Sequence, residues 1–246
     1  MLSLAKLLKS VDARPKKDNL FEPAILNMQS NYLNEQCIIV DENDNPLRPG
    51  SKQFCHSAKT LALHRAFSVF LFTENCDMIL QKRAAQKLTF PSVWTNACCS
   101  HPLWNEYEMC TDNNDIGIRR AAKRKLYHEL GIDSIDIEQM KIMGRFLYKA
   151  MYDDNWGEYE VDYVIVLRDC DVKQIRPNPE EVESTAAVSS MEELNEILKS
   201  AEQFTFCLRY ILLYNRYASV QVVKSHSLHG LNYSFERIFC KTGGMI

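Results

Sequence analysis

The sequence predicts an α+β domain in which a mixed β-sheet is covered by helices. Three observations lead there: strand signals recur between turn clusters from Tyr32 onward, one segment carries every mark of a long helix, and no apolar run approaches the roughly 20 residues of a membrane-spanning helix. The strands come first. "QCIIV" runs into the turn cluster "DENDNP" and reads as a strand entering a hairpin; "HRAFSVFLFT" and "MILQKR", joined by "ENCD", read as two more. "DIGIRRAAKRKLYHELG" starts acidic, consists of good helix formers and stops at Gly131, which predicts the strongest helix of the chain. "IMGRFLYKA" and "EVDYVIVLR" return to strand patterning. "SSMEELNEILKS" opens on serines and Glu192, an N-cap pattern, and "FTFCLRYILLYNRY" continues at helical spacing.

With 246 residues, 46% of them apolar, the chain holds one larger globular domain with appendages. Residues 1–30 form an extension whose spaced leucines and lysines suit an organelle transit peptide, although Asp12 speaks against one, and a loosely packed or disordered extension is the alternative. Residues 31–200 carry the domain, and 201–246 read as a divergent helical region. A net charge of −3 from 29 basic and 32 acidic residues argues against nucleic acid or a membrane surface as the main partner. Nine cysteines, an odd number with no signal-peptide pattern ahead of them, indicate a reducing compartment. That favours the cytoplasm, with a mitochondrial or peroxisomal address as the alternative.

The chemistry concentrates in a few stretches. In "TNACCSHPL", residues two apart share a face of an extended segment, so Cys99 and His101 point one way and Cys98 and Ser100 the other. In "WGEYEVDYV" the same rule places Glu158 and Glu160 together, opposite Tyr159; like charges so close need a metal or a shared proton. Each pair alone is compatible with a plain strand face. His56 and His64, just ahead of and at the start of a strand, complete a mixed nitrogen and oxygen set suited to Zn²⁺, Mn²⁺ or a similar ion. His128, His226 and His229 have no such company and read as surface residues. At 100° per residue from Ile118, Ala122 falls at about 40°, Lys125 at about −20° and Glu129 at about 20°, so two charges lie on the helix stripe that should face the core. An ion pair between them, or a divalent ion with a bound phosphate, would answer both.

These segments, "LHRAFSVFLF", "FPSVWTNACCSHPL", "RRAAKRKLYHELGI" and "WGEYEVDY", together resemble the type I isopentenyl-diphosphate delta-isomerase family, the metal-dependent form with a Nudix-like mixed sheet flanked by helices. The resemblance is dense from about Asn34 to Leu167. It implies an enzyme that interconverts isopentenyl and dimethylallyl diphosphate in isoprenoid biosynthesis, acting as a monomer on a small prenyl diphosphate. It implies that Cys99 is catalytic together with Glu160 and Tyr148, and that His56, His64, His101, Glu158 and Glu160 bind a metal. It further implies that Glu129 holds Mg²⁺ against the diphosphate, which Lys52, Arg83, Lys87 and Lys125 contact; Mg²⁺ and a second divalent ion, Zn²⁺ or Mn²⁺, are the implied cofactors. Protonation of the terminal alkene carbon, a tertiary carbocation and loss of a proton from the neighbouring methylene make up the implied reaction, with water excluded.

The sequence departs from the general Nudix signature at one place and from the isomerase family at two. The general Nudix helix signature has glutamates where "RKLYHELGI" has Lys125 and His128, which disfavours the alternative of a diphosphate hydrolase. A catalytically impaired relative that binds metal and diphosphate is the other alternative. Ser92 in "FPSVW" stands where the family usually has glycine, a substitution that matters if the backbone there needs positive φ. Cys207 falls where the family places a tryptophan over the carbocation.

Overall fold

A computed structural model describes residues 31–200; the extension 1–30 and the region 201–246, with its expected helix and Cys207, lie outside the described residues. Among the described residues, nine strands form one mixed sheet. β1 (Gln36–Val40) and β2 (Pro46–Ser51) make the expected antiparallel hairpin. The centre of the sheet is β3 (His64–Thr73), buried at all ten positions, as its nearly unbroken apolar run requires of a strand covered on both faces. β3 and β4 (Met78–Arg83) coincide end to end with the strands read from the sequence.

β3 pairs antiparallel with β1, β4 and the short β6 (Cys98–Ser100), and parallel with β8 (Gly157–Cys170). β7 (Lys141–Met151) runs antiparallel to β8. Three strands were not anticipated: β6, β5 (Trp94–Asn96) and β9 (Val182–Val188), the last two paired with β4. The first two are three residues long, too short to carry a period, and β9 is mostly half-exposed and polar.

Helix ends follow local chemistry. α1 (Lys52–His56) is capped by Ser51, whose hydroxyl accepts from the Phe54 N–H at 3.1 Å. α2 (Glu106–Met109) is capped by Asn105. α3 (Asp112–Leu130) is the long helix expected; Asn113, Asn114 and Asp115 are left-handed, so regular helix begins after Asp115, and Gly131 at φ 69° closes it. α4 (Met191–Ser200) begins at Ser190, whose hydroxyl accepts from the Glu193 N–H at 3.1 Å; the Glu193 carboxylate reaches back to the Ser189 N–H at 2.8 Å. The cap therefore uses Glu193, three residues past the serine, and not Glu192.

The alternation of β3 and β8 divides the core. Phe67, Val69, Leu71, Val161, Tyr163 and Ile165 pack under α3 against Ile118, Ala121, Ala122, Leu126 and Leu130. Burying each large side chain there contributes about 1.5–3 kcal/mol. The opposite face carries Phe70, Phe72, Val164 and Phe146 with Tyr148, and beyond them His64, Ser68, Glu160 and Asp162. One face is a core and the other turns into a site.

Gly117, at the start of α3, is packed so closely that an added Cβ would lie 2.3 Å from the Glu108 carbonyl oxygen and 2.7 Å from that of Cys110. Gly117→Ala is expected to destabilise the domain by about 2 kcal/mol, read as a lower denaturant midpoint with an unchanged slope. An unchanged midpoint would mean that α2 and α3 are not packed as described.

Candidate active site

Strand register assembles the site. In the parallel β3–β8 pair, His64 lies opposite Glu160, and in the β7–β8 pair Tyr148 lies opposite Glu160 and Ala150 opposite Glu158. β6 sets Cys99 beside Ser68 of β3. α1 delivers His56 at its last residue, and the isolated bridge between Ser57 and Trp156 ties that helix end to the start of β8. Five elements thus meet at one end of the sheet.

His56, His64, His101 and Glu160 each offer one ligand atom, and the four atoms lie within 4.8 Å of one another. All four residues are buried. The Nδ1 atoms of His56 and His64 are used by backbone carbonyls, Gly157 at 3.0 Å and Ala62 at 2.8 Å, so those ring nitrogens carry the proton. Their Nε2 lone pairs therefore face the cluster and have no hydrogen-bond partner. Carbonyl-oriented imidazoles with inward lone pairs are what a metal requires. The residues present fit a divalent ion. Glu158, the fifth expected ligand, is on the same strand face but is not one of the four.

Electrostatics reinforce this reading. Burial alone would raise the Glu160 carboxyl, but the hydrogen bond with His101 at 3.0 Å and the His64 ring 3.4 Å away hold it well below the usual carboxylate range. Burial dominates for His56, pushed well down, and for His101, pushed down to about 3. For His64 burial is outweighed by Glu160, and the ring rises above its ordinary value. One buried carboxylate thus faces rings whose lone pairs it cannot satisfy, an arrangement that a cation would complete.

The Tyr148 hydroxyl lies 2.8 Å from Glu158 and 2.7 Å from Glu160; having one proton, it donates to one of them at a time. Cys99 is half-buried, and its thiol donates to the Asn96 side-chain oxygen at 2.9 Å, with Ser68 at 3.4 Å and Thr95 at 3.6 Å. Asn96 is itself fixed by donating to the Val69 and Cys98 carbonyls. Cys98, by contrast, is fully buried in the core, and burial pushes its thiol well up. Ser100 pairs with Phe67 and Cys99 with Ser68, so the two lie on opposite strand faces as expected, and both border the cavity.

A cavity of about 870 Å³, counting its open mouth, is lined by Cys99, His56, His101, Glu158, Glu160 and Tyr148, and also by Lys52, Arg83, Lys87, Lys125 and Glu129. Lys125 and Glu129 form an i,i+4 ion pair at 3.2 Å, and Gln81 donates to Glu129 at 3.0 Å. Lys125 is raised above its ordinary value, burial being outweighed by Glu129. Arg83 donates to the carbonyls of Thr89 and Phe90, both at 3.0 Å, and so holds the loop in which Phe90 (φ 50°) and Ser92 (φ 56°) are left-handed. Ser92 thus occupies the conformation that favours glycine.

His128 requires correction. It is half-buried, not a surface residue: its ring bonds the Tyr32 hydroxyl at 3.0 Å and Lys125 at 3.1 Å, because the helix turn that buries Lys125 brings i+3 alongside it. Sequence reasoning also missed Glu108, which takes two hydrogen bonds from Arg124 and one from the Leu103 N–H, while Arg124 also reaches the His101 carbonyl at 3.1 Å. Arg124, retained from the Nudix signature, was the available signal. Glu181, described below, had none.

The fold and site define a Nudix-domain protein. The NUDIX domain family matches residues 62–206. The crystal structure of DR0079 from Deinococcus radiodurans superposes with a TM-score of 0.50 at 16% identity, covering 70% of this chain and 93% of that one, a likeness of fold alone. Isopentenyl-diphosphate Delta-isomerase 1 of Mus musculus is 47% identical over 178 residues, 70% of this chain and 77% of that protein. The chloroplastic isopentenyl-diphosphate Delta-isomerase I of Arabidopsis thaliana is 46% identical over 175 residues, 68% of this chain and 58% of that protein. The matched part thus spans less than two thirds of the Arabidopsis relative. The chain belongs to the type I isopentenyl-diphosphate Delta-isomerase family within the Nudix superfamily. Among the described residues no helix is long and apolar enough to cross a membrane.

His64→Ala is expected to weaken divalent-metal affinity by at least about tenfold, measured as metal per protein after dialysis. Glu158→Gln should lower it less, since its carboxylate stands outside the four-residue group. Equal metal content in wild type and His64→Ala would rule out the cluster as the metal site.

Proposed function

We propose that this chain catalyses the interconversion of isopentenyl and dimethylallyl diphosphate. The observation that carries the proposal is the meeting of Cys99 with the Tyr148–Glu160 pair in one cavity that also holds four cationic side chains. The high identity to named isomerases supports it. Lys52, Arg83, Lys87 and Lys125 would take the diphosphate, and Glu129 would help to hold a Mg²⁺ ion beside it. His56, His64, His101 and Glu160, with Glu158 beside them, hold a second ion, Zn²⁺ or Mn²⁺. When bound, these ions neutralise phosphate oxygens and fix the orientation of the Glu160 carboxylate.

The chain's own residues carry the proton. An acid delivers it to the terminal alkene carbon, leaving a tertiary cation; a base removes one from the adjacent methylene, and the double bond has moved. Glu160, hydrogen-bonded to Tyr148, serves one side of the substrate and Cys99 the other. Asn96 fixes the thiol's direction. Trp156, Phe67 and Phe90 line the same cavity and exclude water that would capture the cation. The substrate is a small molecule, the proposed working form a monomer, and the proposed compartment a reducing one such as the cytoplasm.

Metal-loaded protein incubated with isopentenyl diphosphate in deuterated water should yield dimethylallyl diphosphate carrying deuterium. Cys99→Ala should lower the rate at least about a hundredfold with metal content and melting temperature unchanged, whereas Cys98→Ala stays mild. Release of inorganic phosphate without isomer would replace this reading by hydrolysis, and loss of activity on Cys98→Ala alone would move the catalytic thiol by one residue.

A further inference from the structure

Glu181 lies in the turn ahead of β9 and is 3% exposed. Backbone contacts fix its place from two sides: its carbonyl accepts from Ala84 at 3.0 Å, its N–H donates to the Asn178 carbonyl at 3.0 Å, and the Asn178 N–H donates in turn to Glu129 at 2.9 Å. Gln86 adds a side-chain bond to the Pro179 carbonyl at 2.9 Å. The turn is therefore joined both to the 84–90 loop, which carries Lys87, and to the end of α3, which carries Lys125 and Glu129. Into that corner Glu181 presents a carboxylate that accepts from the Lys87 ammonium.

Lys87 needs this partner. Its side chain is 12% exposed, and the other charged groups facing it are largely of its own sign: Arg83 from β4, Lys52 from α1 and Lys125 from α3, against the single carboxylate of Glu129, with His128 alongside. A lysine so enclosed by cations tends to shed its proton. We infer that Glu181 is a positioning residue of the diphosphate subsite, holding the Lys87 ammonium both oriented toward the cavity and charged near neutral pH. The inference rests on the proposed diphosphate-binding role of Lys87.

The balance is narrow. Burial lowers Lys87 and Glu181 opposes it, leaving the ammonium at about 8. Burial would raise Glu181, but Lys87 and Lys125 outweigh that and hold its carboxyl at about 2. The sign of the consequence follows. Without the carboxylate the Lys87 value falls further, so the charge that an anion needs disappears at a lower pH than in the wild type.

The test is the affinity of the metal-loaded full chain for inorganic pyrophosphate, and KM and kcat for isopentenyl diphosphate, between pH 6 and 9 for wild type and Glu181→Gln. Taking the ratio of variant to wild type at each pH cancels the titration of the ligand. The ratio of dissociation constants should be smallest at pH 6, reach about tenfold by pH 8 as a charged contact is lost, and level off above that, with the effect in KM and little in kcat. Glu181→Asp should recover part of the affinity. In a Lys87→Arg background, whose guanidinium keeps its charge, Glu181→Gln should lose its pH dependence. A loss equal at every pH, or a fall in kcat accompanied by a lower melting temperature, would make Glu181 merely structural. Unchanged affinity at all pH values would remove its role while leaving the subsite intact; failure of the wild type itself to bind pyrophosphate would remove the subsite and this inference together.

Discussion

The parallel pairing of β3 with β8 is the constraint on which the site depends. It places His64 beside Glu160 and carries ladder hydrogen bonds from His64 to Thr73. Because side chains alternate along each strand, that one register fixes two faces at once. Shifted by one residue, the pairing would turn His64 toward the α3 core and an apolar neighbour into the cavity. The apolar face therefore enforces the polar one: Phe67, Val69, Val161 and Ile165 can be buried under α3 only in the register that aligns His64 with Glu160. Stability and site geometry come from the same set of ladder bonds.

Buried charge is handled by pairing throughout. Asp44, in the turn that the sequence marks as polar and loop-like, is 7% exposed and joins Arg65 at 2.7 Å with Arg145 and Tyr163. That single carboxylate ties the β1–β2 hairpin to β3, β7 and β8. Burial and the Asp44 charge push the Tyr163 hydroxyl up, so it stays a donor. Glu108 with Arg124 performs the same task for the chain beyond His101, and Glu181 with Lys87 for the cationic wall. Each of these charges removed from water has an opposite one in contact, which is the condition for keeping it inside at tolerable cost.

What the sequence revealed and what it hid divide along physical lines. β3, β4 and the body of α3 were legible because each is long enough to show its period and ends on a recognisable signal, such as Gly131. His64, Glu158 and Glu160 were legible because their side chains alternate on strands that were already evident. Tertiary pairing was not. Nothing local marks Glu181 or Glu108 as buried, since an acidic residue in a turn or a short helix normally faces water. His128 was misplaced for a related reason: its partner Tyr32 lies 96 residues away in sequence. Residues whose role is set by one distant contact carry no periodic trace of it.

The helix of the Nudix signature shows how one fold turns to different chemistry. Hydrolysis in this fold calls for a run of carboxylates along the helix, to hold metal where water can be activated. Here Lys125 takes one of those places and pairs with Glu129, and His128 takes another and braces Lys125 against Tyr32. Both changes convert negative surface into a fixed positive charge at the cavity wall. The cavity is thus walled by cations from α1, β4, the 84–90 loop and α3. Cys99 and the Tyr148–Glu160 pair stand on the strands instead. Strand register separates the cationic wall, suited to an anionic ligand, from the cluster of thiol, hydroxyl and carboxylate, so the two can change independently on one scaffold.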